Sequence, residues 1–154
     1  MGIEIERKFL VQGEDWRAGA VGTGYRQGFL NRAQERTVRI RTDGTRGFIT
    51  VKGPSVGPVR REFEYEIPVE DADAILEELC EKPIIEKIRY RIPRGNHTWE
   101  IDEFLGENEG LIVAEIELSQ AHESFQRPSW LRREVTGDPR YFNANLVSHP
   151  YRQW

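Results

Sequence analysis

Residues 62–67 read Glu62-Phe63-Glu64-Tyr65-Glu66-Ile67, with ionised and apolar side chains in strict alternation. A period of two places one kind on each face of a β-strand. Three glutamates in succession on one face is a poor choice for that conformation. Glu has a low strand propensity, and like charges at i and i+2 repel. The same pattern recurs along the chain. Glu4, Glu6 and Lys8 alternate with Ile3, Ile5 and Phe9; Arg39 and Arg41 with Val38 and Ile40; Thr50 and Lys52 with Ile49 and Val51. Lys87, Arg89 and Arg91 then alternate with Ile88, Tyr90 and Ile92, Glu100 and Asp102 with Trp99 and Ile101, and Glu115 and Glu117 with Ile116 and Leu118.

Eight strands are expected, near 3–11, 24–30, 36–42, 46–52, 60–68, 84–93, 97–105 and 111–119. Asp43-Gly44, Gly53-Pro54, Gly57-Pro58, Pro93-Arg94-Gly95-Asn96 and Gly106 read as turns between them. Such short connections favour antiparallel neighbours, because a parallel crossover needs a dozen or more residues. One helix is predicted over 70–81, where Ala72, Ile75, Leu76, Leu79 and Cys80 share a face and Pro83 ends the run. Shorter helices are expected at 120–125 and 130–134. The tail from Gly137 to Trp154 holds enough aromatic and aliphatic residues to pack on the barrel or on a partner, so a homodimer is one expectation. The fold class is mainly β (α+β): a closed eight-stranded antiparallel barrel with a few flanking helices, one domain over 1–154.

Composition removes several alternatives. The 154 residues are 31% charged, with a net charge of −4. That balance gives no support to nucleic-acid binding. No apolar run approaches the ~18 residues of a membrane span, and the acidic start is unlike a signal peptide. A single cysteine excludes an internal disulfide and a cysteine-rich zinc site. A cytoplasmic protein without membrane or nucleic-acid partners is therefore expected. Charge is unevenly distributed: residues 1–61 carry 12 basic against 6 acidic residues, residues 62–154 carry 10 against 20.

Two arrangements could offset the crowding of like charges. The ionised faces could meet bulk water and pair as surface salt bridges worth ~0–1 kcal/mol each. Alternatively, the sheet closes around them, since eight strands enclose room for side chains or one small ligand. A lumen lined by both acids and bases suits metal-assisted phosphoryl transfer. Carboxylates hold a hard divalent cation, and Arg and Lys hold phosphate oxygens.

The opening Glu4-Ile5-Glu6-Arg7-Lys8 resembles the Glu-x-Glu-x-Lys signature of the CYTH superfamily, the triphosphate tunnel metalloenzymes. Arg39/Arg41, Lys52, Glu62/Glu64, Lys87/Arg89, Glu100/Asp102, Glu115/Glu117 and the block Asp138-Pro139-Arg140-Tyr141-Phe142-Asn143 follow in the family's order. The resemblance implies a barrel forming a charged tunnel that hydrolyses inorganic triphosphate to diphosphate and phosphate with Mg²⁺ or Mn²⁺. By position it implies that Glu4, Glu6, Asp102, Glu115 and Glu117 surround metal. Lys8, Arg39, Arg41, Lys52, Lys87 and Arg89 would grip the triphosphate, and Glu4, Glu6, Lys8 and Lys87 are the catalytic set. Glu62, Glu64, Glu100 and Arg140 are expected at the lumen without a defined role. A class IV adenylate cyclase, a thiamine triphosphatase and a non-catalytic polyphosphate- or nucleotide-binding module are the alternatives. His97, His122 and His149 lack metal-ligand spacing, and Cys80 reads as packing. Arg60-Arg61 and Arg132-Arg133 read as rim or surface pairs.

Overall fold

The protein is described here from a computed structural model that covers residues 2–154. Its strands are β1 (Ile3–Val11), β2 (Gly22–Asn31), β3 (Thr37–Thr42), β4 (Gly47–Val56), β5 (Val59–Ile67), β6 (Ile85–Arg94), β7 (His97–Phe104), β8 (Ile112–Glu117) and β9 (Leu131–Glu134). The two α-helices are α1 (Val69–Glu78) and α2 (Asn143–Ser148). Every pairing is antiparallel, in the order β5-β4-β3-β2-β6-β7-β8-β1, and a β1–β5 pairing closes the circle. The eight expected strands thus form a closed barrel.

β9 is the ninth strand, and it replaces the helix expected at 130–134. The cause lies in β1. β5 covers β1 only at Ile3–Ile5. The same edge would otherwise be bare further on, and unpaired strand edges are costly. β9 covers it, with Glu134 opposite Phe9 and Leu131 opposite Val11. Arg7 holds Glu134 through two hydrogen bonds of 2.8 and 2.6 Å, and Trp130 packs edge-on against Trp99 at 5.6 Å. Residues 120–125 also form no helix. The Glu123 carboxylate accepts from the Ser119 N–H (2.7 Å) and the Gln120 N–H (3.3 Å), so it folds the segment into a turn instead.

Apolar strand positions divide into three cores. Outside β2–β4, α1 packs Ala72 and Leu76 against Ile40, Ile49 and Ile67. Glycines let it lie close. A Cβ at Gly47 would stand 2.6 Å from the Ala72 Cβ, and one at Gly28 would stand 2.8 Å from the Cys80 Cβ. Outside β1, β7 and β8, Phe9, Trp99, Ile101 and Ile116 gather under Trp130 and Trp16. The third core lies inside the barrel. Phe29, Ile85, Phe104 and Val113 point inward at one end, and Tyr141, Ala144, Leu146 and Val147 of the C-terminal segment pack onto them. The tail is therefore a stopper, and the charged residues occupy the rest of the lumen. Among the described residues no helix is long and apolar enough to cross a membrane.

Candidate active site

Above the stopper lies a cavity of about 300 Å³. Register explains why its wall is ionic. Lys8 faces Glu115, Lys52 faces Glu62, and Arg89 faces Asp102 across adjacent strands. Glu4, Glu6, Lys8, Arg39, Arg41, Lys52, Glu62, Glu64, Lys87, Arg89, Glu100, Glu115 and Glu117 all line this one space. The inward half of the alternation is gathered as the sequence suggests.

Most cations are held by carboxylates. Lys52 lies 3.2 Å from both Glu4 and Glu62. Arg39 and Arg41 share Glu64 at 3.3 and 3.6 Å, and the Thr50 hydroxyl donates to the same carboxylate at 2.6 Å. Burial, then the charges of Arg39 and Arg89, pull the Arg41 pKa down to about 10. Lys8 approaches Glu115 at 3.5 Å. Lys87 sits 2.7 Å from Asp102 and donates to the Asn143 side-chain oxygen at 3.1 Å, which ties the stopper to the ionic wall. Burial lowers the Lys87 pKa to about 8 in spite of Asp102.

Asp102 does not line the cavity. Its carboxylate lies behind Lys87 and Arg89, 2% exposed, and both oxygens are engaged: Arg89 donates at 2.7 and 2.8 Å, Lys87 at 2.7 Å. Burial alone would raise its pKa, but Arg89 and Lys87 outweigh that and hold it well below the usual carboxylate range. The sequence expectation makes Asp102 a metal ligand; in this geometry its carboxylate is the counter-ion of Lys87 and Arg89, two phosphate-gripping candidates. Arg140 also departs from expectation. It is exposed, pairs with Asp138 at 2.9 Å and lies over the Trp154 ring outside the lumen. Sequence reasoning missed Arg60, Arg91, Gln34 and Asn143, which line the cavity. Arg60 and Arg91 were accessible through their phase, because they alternate in step with Glu62 and Arg89.

Glu6 and Glu117 are the exceptions to pairing. They stand directly opposite each other on β1 and β8, and among the described residues neither has a Lys or Arg within 4 Å. Burial, then Glu115 and Glu4, push the Glu6 pKa well above its ordinary value; burial, Glu4 and Glu100 raise that of Glu117. Among the described residues no three acids or histidines form a ready-made cage. The donor set nevertheless fits a hard divalent cation, since it is all carboxylate oxygen and lacks positive charge.

The chain matches the CYTH domain family over residues 2–151. It belongs to that family. An inorganic triphosphatase of Acetivibrio thermocellus is 54% identical to this CYTH domain over 154 residues, covering 100% of this chain and 99% of the relative. Among solved structures, the inorganic triphosphatase NE1496 is 33% identical with a TM-score of 0.62, covering 94% of this chain and 93% of its own. A Bacillus halodurans protein shares the fold at 17% identity and a TM-score of 0.61, covering 79% of this chain and 84% of its own.

Proposed function

We propose that this CYTH domain hydrolyses inorganic triphosphate to diphosphate and phosphate, with Mg²⁺ or Mn²⁺. The observation that carries the reading is a small closed-ended cavity holding eight cationic side chains beside two glutamates that lack any cation. Its volume is at the low end for ligand pockets, which suits a bare phosphate chain better than one bearing an organic group. The relatives named as inorganic triphosphatases agree with this choice.

A triphosphate carries about four to five negative charges, and stripping its water without replacement donors is prohibitive. Lys8, Arg39, Arg41, Lys52, Lys87 and Arg89 supply those donors from several strands at once. Each is preorganised by a carboxylate, so little rearrangement is needed when phosphate oxygens arrive. The cavity lining carries eight bases and seven acids, close to neutral. A polyanion alone would therefore leave the lumen negative, and a divalent cation bound with it would offset part of that charge. Glu6 and Glu117 would hold that cation, with Glu4 and Glu115 on either side. When bound, it polarises a phosphoryl oxygen and lowers the pKa of a coordinated water. Water adds to a terminal phosphorus, the bond to the bridging oxygen breaks, and diphosphate leaves. The guanidinium groups of Arg39, Arg41 and Arg89 spread the charge that builds up during this step.

The test is phosphate release from inorganic triphosphate with Mg²⁺, with Mn²⁺ and with chelator, beside ATP assayed for both phosphate and cyclic AMP. Metal-dependent release from triphosphate far above that from ATP is expected. Cyclic AMP from ATP with no release from triphosphate would assign the tunnel to the cyclase reaction. Binding of triphosphate without turnover would make the domain a binding module.

A further inference from the structure

Arg60 begins the lumen face of β5, opposite Glu4 on β1 and Ser55 on β4. Among the described residues it is the one cation lining the cavity with no carboxylate within 4 Å. Neutral groups hold it instead. Its Nε donates to the Gly53 carbonyl at 2.5 Å, and one terminal nitrogen donates to the Thr37 hydroxyl at 2.9 Å. Thr37 in turn donates to the Ala33 carbonyl at 3.0 Å. That chain of contacts draws the β2–β3 loop, with Gln34, to the same end of the cavity. The Gln34 side-chain nitrogen is buried there and has no acceptor. Among the described residues every other lumen cation has a carboxylate within 4 Å, so a half-buried guanidinium and an idle amide donor at one mouth lack a shared acceptor. Arg60 precedes Glu62, the register partner of Lys52, by two residues, which sets it about 7 Å further along the strand.

We infer that Arg60 and Gln34 form a phosphate subsite at the β4–β5 end of the cavity, holding the end of the phosphate chain that extends past Lys52. The inference rests on the triphosphatase reading and adds a binding residue to it. Neutral groups, the Gly53 carbonyl and the Thr37 hydroxyl, hold Arg60 in place, and it makes no hydrogen bond to Glu6 or Glu117, so its contact serves the bound chain equally before and during reaction. Loss of such a contact raises KM and spares kcat.

The experiment compares Arg60→Gln, Arg60→Lys, Gln34→Ala and a control, Arg61→Gln, in steady-state hydrolysis of inorganic triphosphate. Arg61 is the control because it points outward, donates to the Gly2 carbonyl and stacks on Phe63. Arg60→Gln should raise KM about tenfold or more with kcat changed less than threefold, the scale of one charge-assisted hydrogen bond. Arg60→Lys should recover part of the loss, Gln34→Ala should raise KM about threefold, and Arg61→Gln should match the parent. A fall in kcat at constant KM, or a KM within threefold of the parent for Arg60→Gln, would overturn the subsite. If Arg60→Gln does not fold, Arg60→Lys carries the same KM-against-kcat comparison. If the parent protein fails to hydrolyse triphosphate, the reaction assignment fails by itself. The subsite is then read from the rise in melting temperature caused by triphosphate, which Arg60→Gln should lose and Arg61→Gln keep; equal protection of both would refute it.

Discussion

Asp102→Asn separates a counter-ion from a metal ligand. Three short charge-assisted hydrogen bonds converge on this carboxylate in a fully buried position, from Lys87 at 2.7 Å and from Arg89 at 2.7 and 2.8 Å. Removing one partner of a buried ion pair costs about 3–5 kcal/mol, because the remaining charge stays desolvated. Two features hold the loss toward the lower figure. Arg89 keeps Glu100 at 3.2 Å and Glu115 at 3.1 Å, and Lys87, already at a pKa of about 8, can release its proton. A destabilisation of about 3 kcal/mol is expected, a large part of the ~5–15 kcal/mol typical of a domain. Urea unfolding followed by circular dichroism measures it.

The pH dependence has a definite sign. A carboxyl held below its unfolded pKa of about 3.9 adds stability above that pH and loses it as the pH falls toward the folded value. The deficit of Asp102→Asn should accordingly be full at pH 7 and shrink below about pH 4. The metal concentration giving half-maximal activity should remain within a factor of about three, since both Asp102 oxygens are already taken by cations. A variant that unfolds within about 1 kcal/mol of the parent, and that needs about tenfold more metal, would refute the counter-ion assignment.

Glu6→Gln should melt higher than the parent without metal, because burial and then Glu115 and Glu4 penalise the charged carboxylate at neutral pH. Mn²⁺ should raise the melting temperature of the parent and leave that of the variant unchanged; an equal rise in both would remove Glu6 from the metal site. Lys87 titrates near pH 8, so triphosphate affinity measured by calorimetry without metal should weaken above that pH, by up to about tenfold per unit. Lys87→Met should bind more weakly and lose this dependence, whereas a pH profile unchanged by the substitution would exclude Lys87 as its source.

The barrel was legible because ionised residues alternate with apolar ones so sharply that few other structures could use both faces. β9 was not. Its four residues, Leu131-Arg132-Arg133-Glu134, carry too little pattern to favour a strand, and they adopt one because the distal edge of β1 lies open to them. The turn at 120–125 likewise depends on a local event, the Glu123 carboxylate capturing the Ser119 and Gln120 N–H groups, which competes with helix formation over so short a segment. α2 is six residues long and owes its place to Leu146 and Val147 on the apolar end of the lumen.

The site divides along the same line. Alternation specifies which face a residue occupies, and it placed Glu4, Glu6, Lys8, Lys52, Glu115 and Glu117 around one cavity. Applied to Arg60-Arg61 it would have sent the first inward and the second outward, but two adjacent arginines look like a surface pair. Alternation cannot specify partners, because those depend on register between strands distant in sequence. Asp102 shows the consequence: it shares the lumen face with Glu100, yet register sets it opposite Arg89. Arg89 and Lys87 close over it, and the acid becomes the support on which two phosphate-binding candidates rest. Glu6 is set opposite Glu117, and among the described residues no Lys or Arg within 4 Å balances the pair. A carboxylate on the lumen face can thus do either of two jobs, and the neighbour across the strand decides which.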